Sequence, residues 1–196
     1  MKRAAPFLIA ILVLVLDQVT KIWVKTNLHI GDEFAVVSDW FYIHFTENNG
    51  MAFGLEFGGR TGKLLLSIFR LIAIGFIGFY TFQLYKHRAY FAIQLAFALI
   101  FVGALGNIID SVFYGVIFGY ETWFYGRVVD MLYCPVWEGY MPQWVPIWGG
   151  DYCVFFRPVF NIADAAITIG VALLIVFQQR FFVAMNAETA SNTTLN

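Results

Sequence analysis

The chain predicts a mainly α-helical membrane protein with four transmembrane helices, a small extracytoplasmic β-sheet and a long second outer loop. Three observations carry this expectation. Of its 196 residues, 60% are hydrophobic and 13% charged, about half the charged share of a soluble domain, roughly 25%. Four runs approach the ~20 apolar residues that a spanning helix needs. The segment between the first two runs mixes aromatic and β-branched residues broken by Gly and Asn, as short strands do. The length fits one integral-membrane domain, residues 1–196. A net charge of −1 gives no electrostatic reason to expect a nucleic-acid partner.

The first run, near 6–24, follows Lys2 and Arg3 and has the outline of a signal peptide. No small-x-small cleavage site follows it, and Asp17 and Lys21 interrupt it, so it reads as a retained span. The second and third runs, near 64–85 and 90–113, are joined by the basic turn Lys86-His87-Arg88-Ala89, and the fourth, near 160–181, ends with Arg180. An even number of spans puts these basic sites on one side. That side is cytoplasmic by the positive-inside rule, so both termini are expected there, with outer loops at 25–63 and 114–159.

The first outer loop is net acidic, with Asp32, Glu33, Asp39, Glu47 and Glu56 against Lys25, Arg60 and Lys63. Its stretches 34–37 and 40–45 are the predicted strands. The second outer loop holds Trp123, Trp137, Trp144 and Trp148, and with Trp23 and Trp40 all six tryptophans fall on the outer side. Trp favours the membrane–water boundary, so these loops are expected to rest among lipid headgroups. Pro135, Pro142, Pro146 and Pro158 argue against long helices in the second loop. Its two cysteines, Cys134 and Cys153, are free to form a disulfide outside the cytoplasm or to remain thiols, and spacing does not choose between these. The polar tail 188–196 reads as a disordered cytoplasmic end.

Depth is the informative measure. At 1.5 Å per residue, Asp17 and Lys21 lie about 16 and 22 Å from the cytoplasmic start of the first run, and Asp110 about 30 Å along the third. Arg70 and Asp164 lie about 9 and 6 Å inside the outer starts of the second and fourth. Every span therefore brings an ionisable group to the outer half, and none brings one to the inner half. Ionisable groups in a membrane cost on the order of 2.5–3.5 kcal/mol or more and mark function by default. One polar site near the outer surface accounts for this pattern.

The candidate groups each admit a plain reading and a chemical one. Asp17 and Lys21, four apart on one helical face, form an ion pair that neutralises itself in lipid. Asn48-Asn49-Gly50 is a hairpin-type turn, and its amides suit a peptide main chain equally. Asn107 and Asp110 share a helical face and serve either interhelical hydrogen bonding or the orientation of other acids. Asp130 and Asp164 come from separate segments. They are two unrelated acids or a pair sharing one proton, one acting as base on water while the other polarises a carbonyl. Ser38, Ser67 and Ser111 have no His or Lys nearby in sequence, and His29, His44 and His87 form no zinc-like grouping, which disfavours serine or metal hydrolysis.

Five stretches fall in one order: Asp17-Gln18-Val19-Thr20-Lys21, Asn48-Asn49-Gly50-Met51-Ala52-Phe53, Gly106-Asn107-Ile108-Ile109-Asp110, Val128-Val129-Asp130 and Phe160-Asn161-Ile162-Ala163-Asp164. Together they resemble lipoprotein signal peptidase, or signal peptidase II, across nearly the whole chain. The resemblance implies an intramembrane aspartic endopeptidase of a bacterial inner membrane, working near the outer face. Its implied substrates are prolipoproteins, cut before a diacylglyceryl-modified cysteine. It implies a catalytic pair of Asp130 and Asp164, with Asp17, Lys21, Asn48, Gly50, Asn107, Asp110, Asn161 and Ala163 binding substrate or supporting the pair. It further implies inhibition by globomycin-type peptides, contact with membrane lipids, and no metal or cofactor; nothing demands more than a monomer.

Two departures stand out. The family usually carries Arg directly after the Asp of the Gly-Asn stretch, where this chain has Ser111; Arg70, at similar depth in the second run, is expected to supply the missing charge and to be coupled to Asp110. The stretches on either side of Asp130 are also long, and are expected to form a lid or a lipid-contacting ledge. The competing readings are a small proton-coupled transporter, which requires ionisable groups through the full membrane thickness, and a non-catalytic assembly subunit.

Overall fold

The computed structural model describes residues 4–38, 40–50, 59–155 and 157–179. Lys2, Arg3, Arg180, the polar tail and the Met51-Ala52-Phe53 part of the second motif lie outside the described residues. Helix α1 (Ala5–Asn27) leads to strands β1 (Glu33–Val37) and β2 (Phe41–Asn48), then to the long helices α2 (Gly59–Lys86) and α3 (Phe91–Ile109). A π turn at Asp110–Tyr114 and the short α4 (Gly115–Ile117) extend α3. Strands β3 (Val128–Tyr133), β4 (Trp137–Tyr140), β5 (Tyr152–Phe155) and β6 (Val159–Phe160) follow, and α5 (Ile162–Val176) closes the order.

Among the described residues three helices are long and apolar enough to cross a membrane: Ala5–Asn27, Gly59–Lys86 and the continuous stretch Phe91–Ile117. The expected fourth span is the shorter apolar helix α5, of 15 residues, about 22 Å long. It starts at Ile162 rather than at Phe160, because Phe160 is held in β6 and Asn161 caps the helix. Helix α2 begins five residues before the expected 64, at Gly59. Hydropathy stops at the charges of Arg60 and Lys63, but the helix does not: Arg60 pairs with Glu121 at 3.2 Å and Lys63 donates to Asn49 Oδ1 at 2.8 Å. Between α2 and α3 the chain turns tightly, with Arg88 at φ 56°.

Helix α3 is the central post, packed against α1, α2 and α5. Small residues allow this. A Cβ added at Gly170 would lie 2.7 Å from the Ala96 carbonyl, and one at Gly106 would lie 2.7 Å from Asp17 Oδ2. Such close backbone approach is what small residues supply between membrane helices. Outward faces carry Leu8, Leu12, Val15 and Val19 on α1 and Leu65, Phe69, Ile72 and Phe76 on α2, all exposed. Apolar side chains outside and polar ones inside is the arrangement of a helix bundle in lipid.

The sheet is larger than the first loop alone predicts. Its antiparallel order β1-β2-β3-β6 takes two strands from the segment between α1 and α2 and two from the segment between α4 and α5, and β4 pairs separately with β5. Val24, Phe45, Tyr114, Val129 and Met131 form a buried cluster that fastens this sheet to α1 and the π turn. Asp130 therefore sits in a strand between β2 and β6, opposite Thr46. The register of β2 against β3 shifts between Ile43 and Thr46, an irregularity of the kind that re-aims side chains beside functional sites.

Candidate active site

Lys21 comes from the C-terminal third of α1 and is fully buried. A buried ammonium needs partners for all three N–H bonds, and it has them: Asp17 at 3.0 Å, Asp110 at 2.8 Å and Asn107 Oδ1 at 2.9 Å. Asp17 also accepts the Ala163 amide at 2.8 Å, which ties α1 to the first turn of α5. Asp110 accepts the Val129 amide at 3.3 Å and so ties α3 to β3. The π turn starting at Asp110 is the type of helix irregularity found at functional sites.

Asn107 passes the network inward. Its Oδ1 accepts Lys21 and Asn161 Nδ2, while its Nδ2 donates to Asp164 Oδ1 at 2.7 Å. Asn161 is the N-cap of α5, its Oδ1 accepting the Asp164 amide at 2.9 Å while Asp164 Oδ2 faces the Asn161 amide at 3.4 Å. This reciprocal capping box fixes Asp164 at the start of the helix. The same Asn161 side chain donates to Asp130 Oδ1 at 2.7 Å. Asn48 Nδ2 donates to Asp130 Oδ2, and Asn48 Oδ1 accepts the Gly50 amide.

All ten expected site residues thus join one connected hydrogen-bond network, although they come from six elements and turns. Asp130 is 4% exposed. Burial, then the nearby charge of Asp164, pushes its carboxyl up to about 7, against the pull of the Asn161 and Asn48 donors. Two carboxylates that interact this way titrate as a pair and can hold one proton between them.

Some members were not singled out by their sequence positions. Gln18 donates to Asp110 Oδ1 at 3.1 Å and to the Gly106 carbonyl at 3.2 Å, and its Oε1 accepts the Tyr114 hydroxyl at 3.2 Å. Its place beside Asp17 in an apolar run was the available signal; Tyr114 offered none. Arg70 makes no direct contact with Asp110 among the described hydrogen bonds and ion pairs. It donates to the Gly50 carbonyl, whereas Asp110 is engaged by Lys21, Gln18 and the Val129 amide. Ser111 is buried and turns its hydroxyl to the Asn107 carbonyl at 3.0 Å. Cys134 and Cys153 are unbonded.

Comparison with known proteins adds a separate line. The family model for signal peptidase (SPase) II matches residues 9–180. The chain is 50% identical over 186 residues to the lipoprotein signal peptidase of Porphyromonas gingivalis (strain ATCC 33277), covering 87% of this chain and 80% of that protein. It is 45% identical over 177 residues to the lipoprotein signal peptidase of Amoebophilus asiaticus, covering 86% and 75%. A solved bacterial membrane enzyme, determined in meso at 2.3 Å, is similar with TM-score 0.60 and 33% identity over 90% of this chain and 88% of that one.

Proposed function

The chain belongs to the signal peptidase II family, membrane proteases that process lipoproteins, and we propose that it cleaves by an aspartic mechanism centred on Asp130 and Asp164. The observation that carries this reading is the single side chain of Asn161. It caps the helix that presents Asp164 and donates to Asp130, so one residue sets the two carboxyls relative to each other. Asn48 and Asn107 hold the outer sides of the pair. In the proposed reaction one carboxylate takes a proton from water while the other protonates the scissile carbonyl. The scissile bond is the one before a diacylglyceryl-modified cysteine, and globomycin-type peptides would occupy the same place.

The site's location supports access from the outer membrane surface of a bacterial inner membrane, with both termini cytoplasmic. Residues 5–16, 71–81, 91–102 and 165–176 contain no Asp, Glu, Lys, Arg or His, so the inner half offers no relay of the kind a proton-coupled transporter needs. Asp130→Asn and Asp164→Asn are the direct test, with a lipidated prolipoprotein as substrate in detergent. Either variant should remain folded and lose about 10²–10⁴-fold in rate or more. Full activity in either one overturns the assignment. With Asp130 as the proton-bearing member, the rate should also decline as pH rises through about 7, where that proton leaves; a flat profile from pH 6 to 9 would count against it.

A further inference from the structure

Beyond the register shift in β2, three pairs carry the strand on toward the site: Thr46 opposite Asp130, Glu47 opposite Val129 and Asn48 opposite Val128. Before the shift, Tyr42 opposes Tyr133 and Ile43 opposes Leu132, so the pairing differs by one residue on its two sides. The pairing of β1 with β2 ends at His44. A one-residue slip turns every side chain of a strand to the other face. Here it would carry Asn48 away from Asp130, to which it donates. Three pairs are few for holding that register.

Strand β3 has its own fastening, because Asp110 accepts the Val129 amide at 3.3 Å. The end of β2 is fastened through Glu47. Successive side chains of a strand face opposite ways, so Glu47, next to Asn48, turns from the site to α1. Its side chain is 5% exposed and its two oxygens meet different cations. Oε1 accepts Lys25 Nζ from α1, and Oε2 lies 3.6 Å from Nη1 of Arg127, the residue before β3. Lys25 Nζ also rests over the rings of Phe118 at 5.0 Å and Tyr120 at 4.5 Å, the geometry of cation–π contacts. The Tyr120 hydroxyl accepts the Arg127 amide at 2.7 Å. A single acid thus ties the end of β2 to α1, to the start of β3 and to the connection that precedes it.

Resting on the dyad reading, we propose that Glu47 is a positioning residue for the reaction: by joining Lys25 to Arg127 it pins the register of residues 46–48 on β3 and so keeps Asn48 against Asp130. Its described partners are cations and not the acids of the pair, so its effect passes through one amide. That amide stands diagonally across the two strands from Asp130, a separation that long side chains bridge. Two consequences separate this role from a general contribution to stability. Loss of Glu47 slows the chemical step more than it weakens substrate binding, since Asn48 orients one of the two acids. The loss also matters only while Asn48 is there to be misplaced.

The test measures kcat and KM for a lipidated prolipoprotein in detergent, with a melting curve, for Glu47→Gln, Asn48→Ala, the double variant and Asp130→Asn. Glu47→Gln should lower kcat by about ten- to a hundredfold, the scale on which a small misplacement acts, with KM little changed. Asn48→Ala should lower kcat at least as much. Adding Glu47→Gln to it should lower kcat no further, the non-additivity of residues that act through one contact. An unchanged kcat in Glu47→Gln, an unchanged kcat in Asn48→Ala, or the same factor lost to Glu47→Gln in both backgrounds overturns the proposal. If Glu47→Gln does not fold, Arg127→Gln, at a half-exposed position, replaces it. A smaller loss of kcat that vanishes beside Asn48→Ala then supports the proposal, and no loss, or the same loss in both backgrounds, overturns it. An active Asp130→Asn defeats the dyad reading itself, whereas an inactive one beside a fully active Glu47→Gln defeats only the role of Glu47.

Discussion

The two ends of β3 lie a few residues apart and obey opposite rules. At one end, Asp130 is almost completely buried and both its oxygens accept amide donors from Asn48 and Asn161. Past the other end, the β4–β5 hairpin shows Trp144 at 82% and Ile147 at 90% exposure, with Tyr140, Trp137 and Phe155 also exposed. In a protein built for water these would be exchanged, with polar groups outside and aromatics inside. The difference teaches where specificity resides. The polar end is determined by partners within the chain, and among the described residues no buried side-chain N or O lacks a hydrogen bond. The aromatic end has few such partners, and a two-stranded hairpin alone is marginal in water.

The sharpest way to break this contrast is to remove the cation at the heart of the polar end. Lys21→Met leaves Asp17 and Asp110 buried without their shared partner. Breaking a buried pair by deleting one member costs about 3–5 kcal/mol, a large share of a typical stability. Unfolding in detergent should show that loss, and Asp110→Asn added to Lys21→Met should recover part of it, since one uncompensated charge is gone. A cost under about 0.5 kcal/mol would mean the cluster is not the organising centre that its geometry indicates.

A smaller effect tests packing rather than charge. A Cβ at Gly106 meets Asp17 Oδ2 at 2.7 Å and Ala163 Cβ at 3.2 Å, whereas one at Gly75 meets nothing within 4 Å. Gly106→Ala should therefore cost about 1–3 kcal/mol by overpacking. Gly75→Ala, within α2, should be neutral or stabilise by up to about 0.5–1 kcal/mol. Equal melting points for the two variants would show that the α3–α5 contact yields easily and that the polar network does not depend on it.

The same contrast explains what was legible in the sequence. Asp17, Lys21, Asn107, Asp110 and Asp164 stand out because a charge or amide in an apolar run has few inexpensive explanations. Their mutual connection could not be read, since it depends on the π turn at Asp110–Tyr114 and on the register of β2 against β3. Strand β3 is hidden in the sequence because Val128-Val129-Asp130-Met131 puts an acid inside an apolar run, where strand periodicity is lost. Strand β6 has two residues, too few for any pattern, and it displaced the expected start of the fourth span. In the second loop the tryptophans signalled contact with the membrane surface, but eleven residues separate β4 from β5 and conceal their pairing.

The smallest effect on the fold is expected at the aromatic end, and it is informative for that reason. Replacing Trp144, Ile147 and Trp148 together by Ser removes exposed side chains outside the buried clusters. Stability in detergent should change by no more than about 0.5 kcal/mol per site, as for surface positions generally, and cleavage of a lipidated substrate in detergent should be unchanged. In a bilayer the outcome should differ. If the hairpin rests at the lipid–water boundary, lipids brominated near the headgroup should remove more fluorescence in absolute terms from the unmodified protein than from the triple variant, because Trp144 and Trp148 contribute from that depth. Equal absolute losses would place the hairpin away from lipid, and a variant that unfolds in detergent would show that these side chains hold the chain together from within. Either result would remove the contrast between the two ends of β3; the expected one locates it in the solvent, with lipid supplying for the hairpin what Asn48 and Asn161 supply for Asp130.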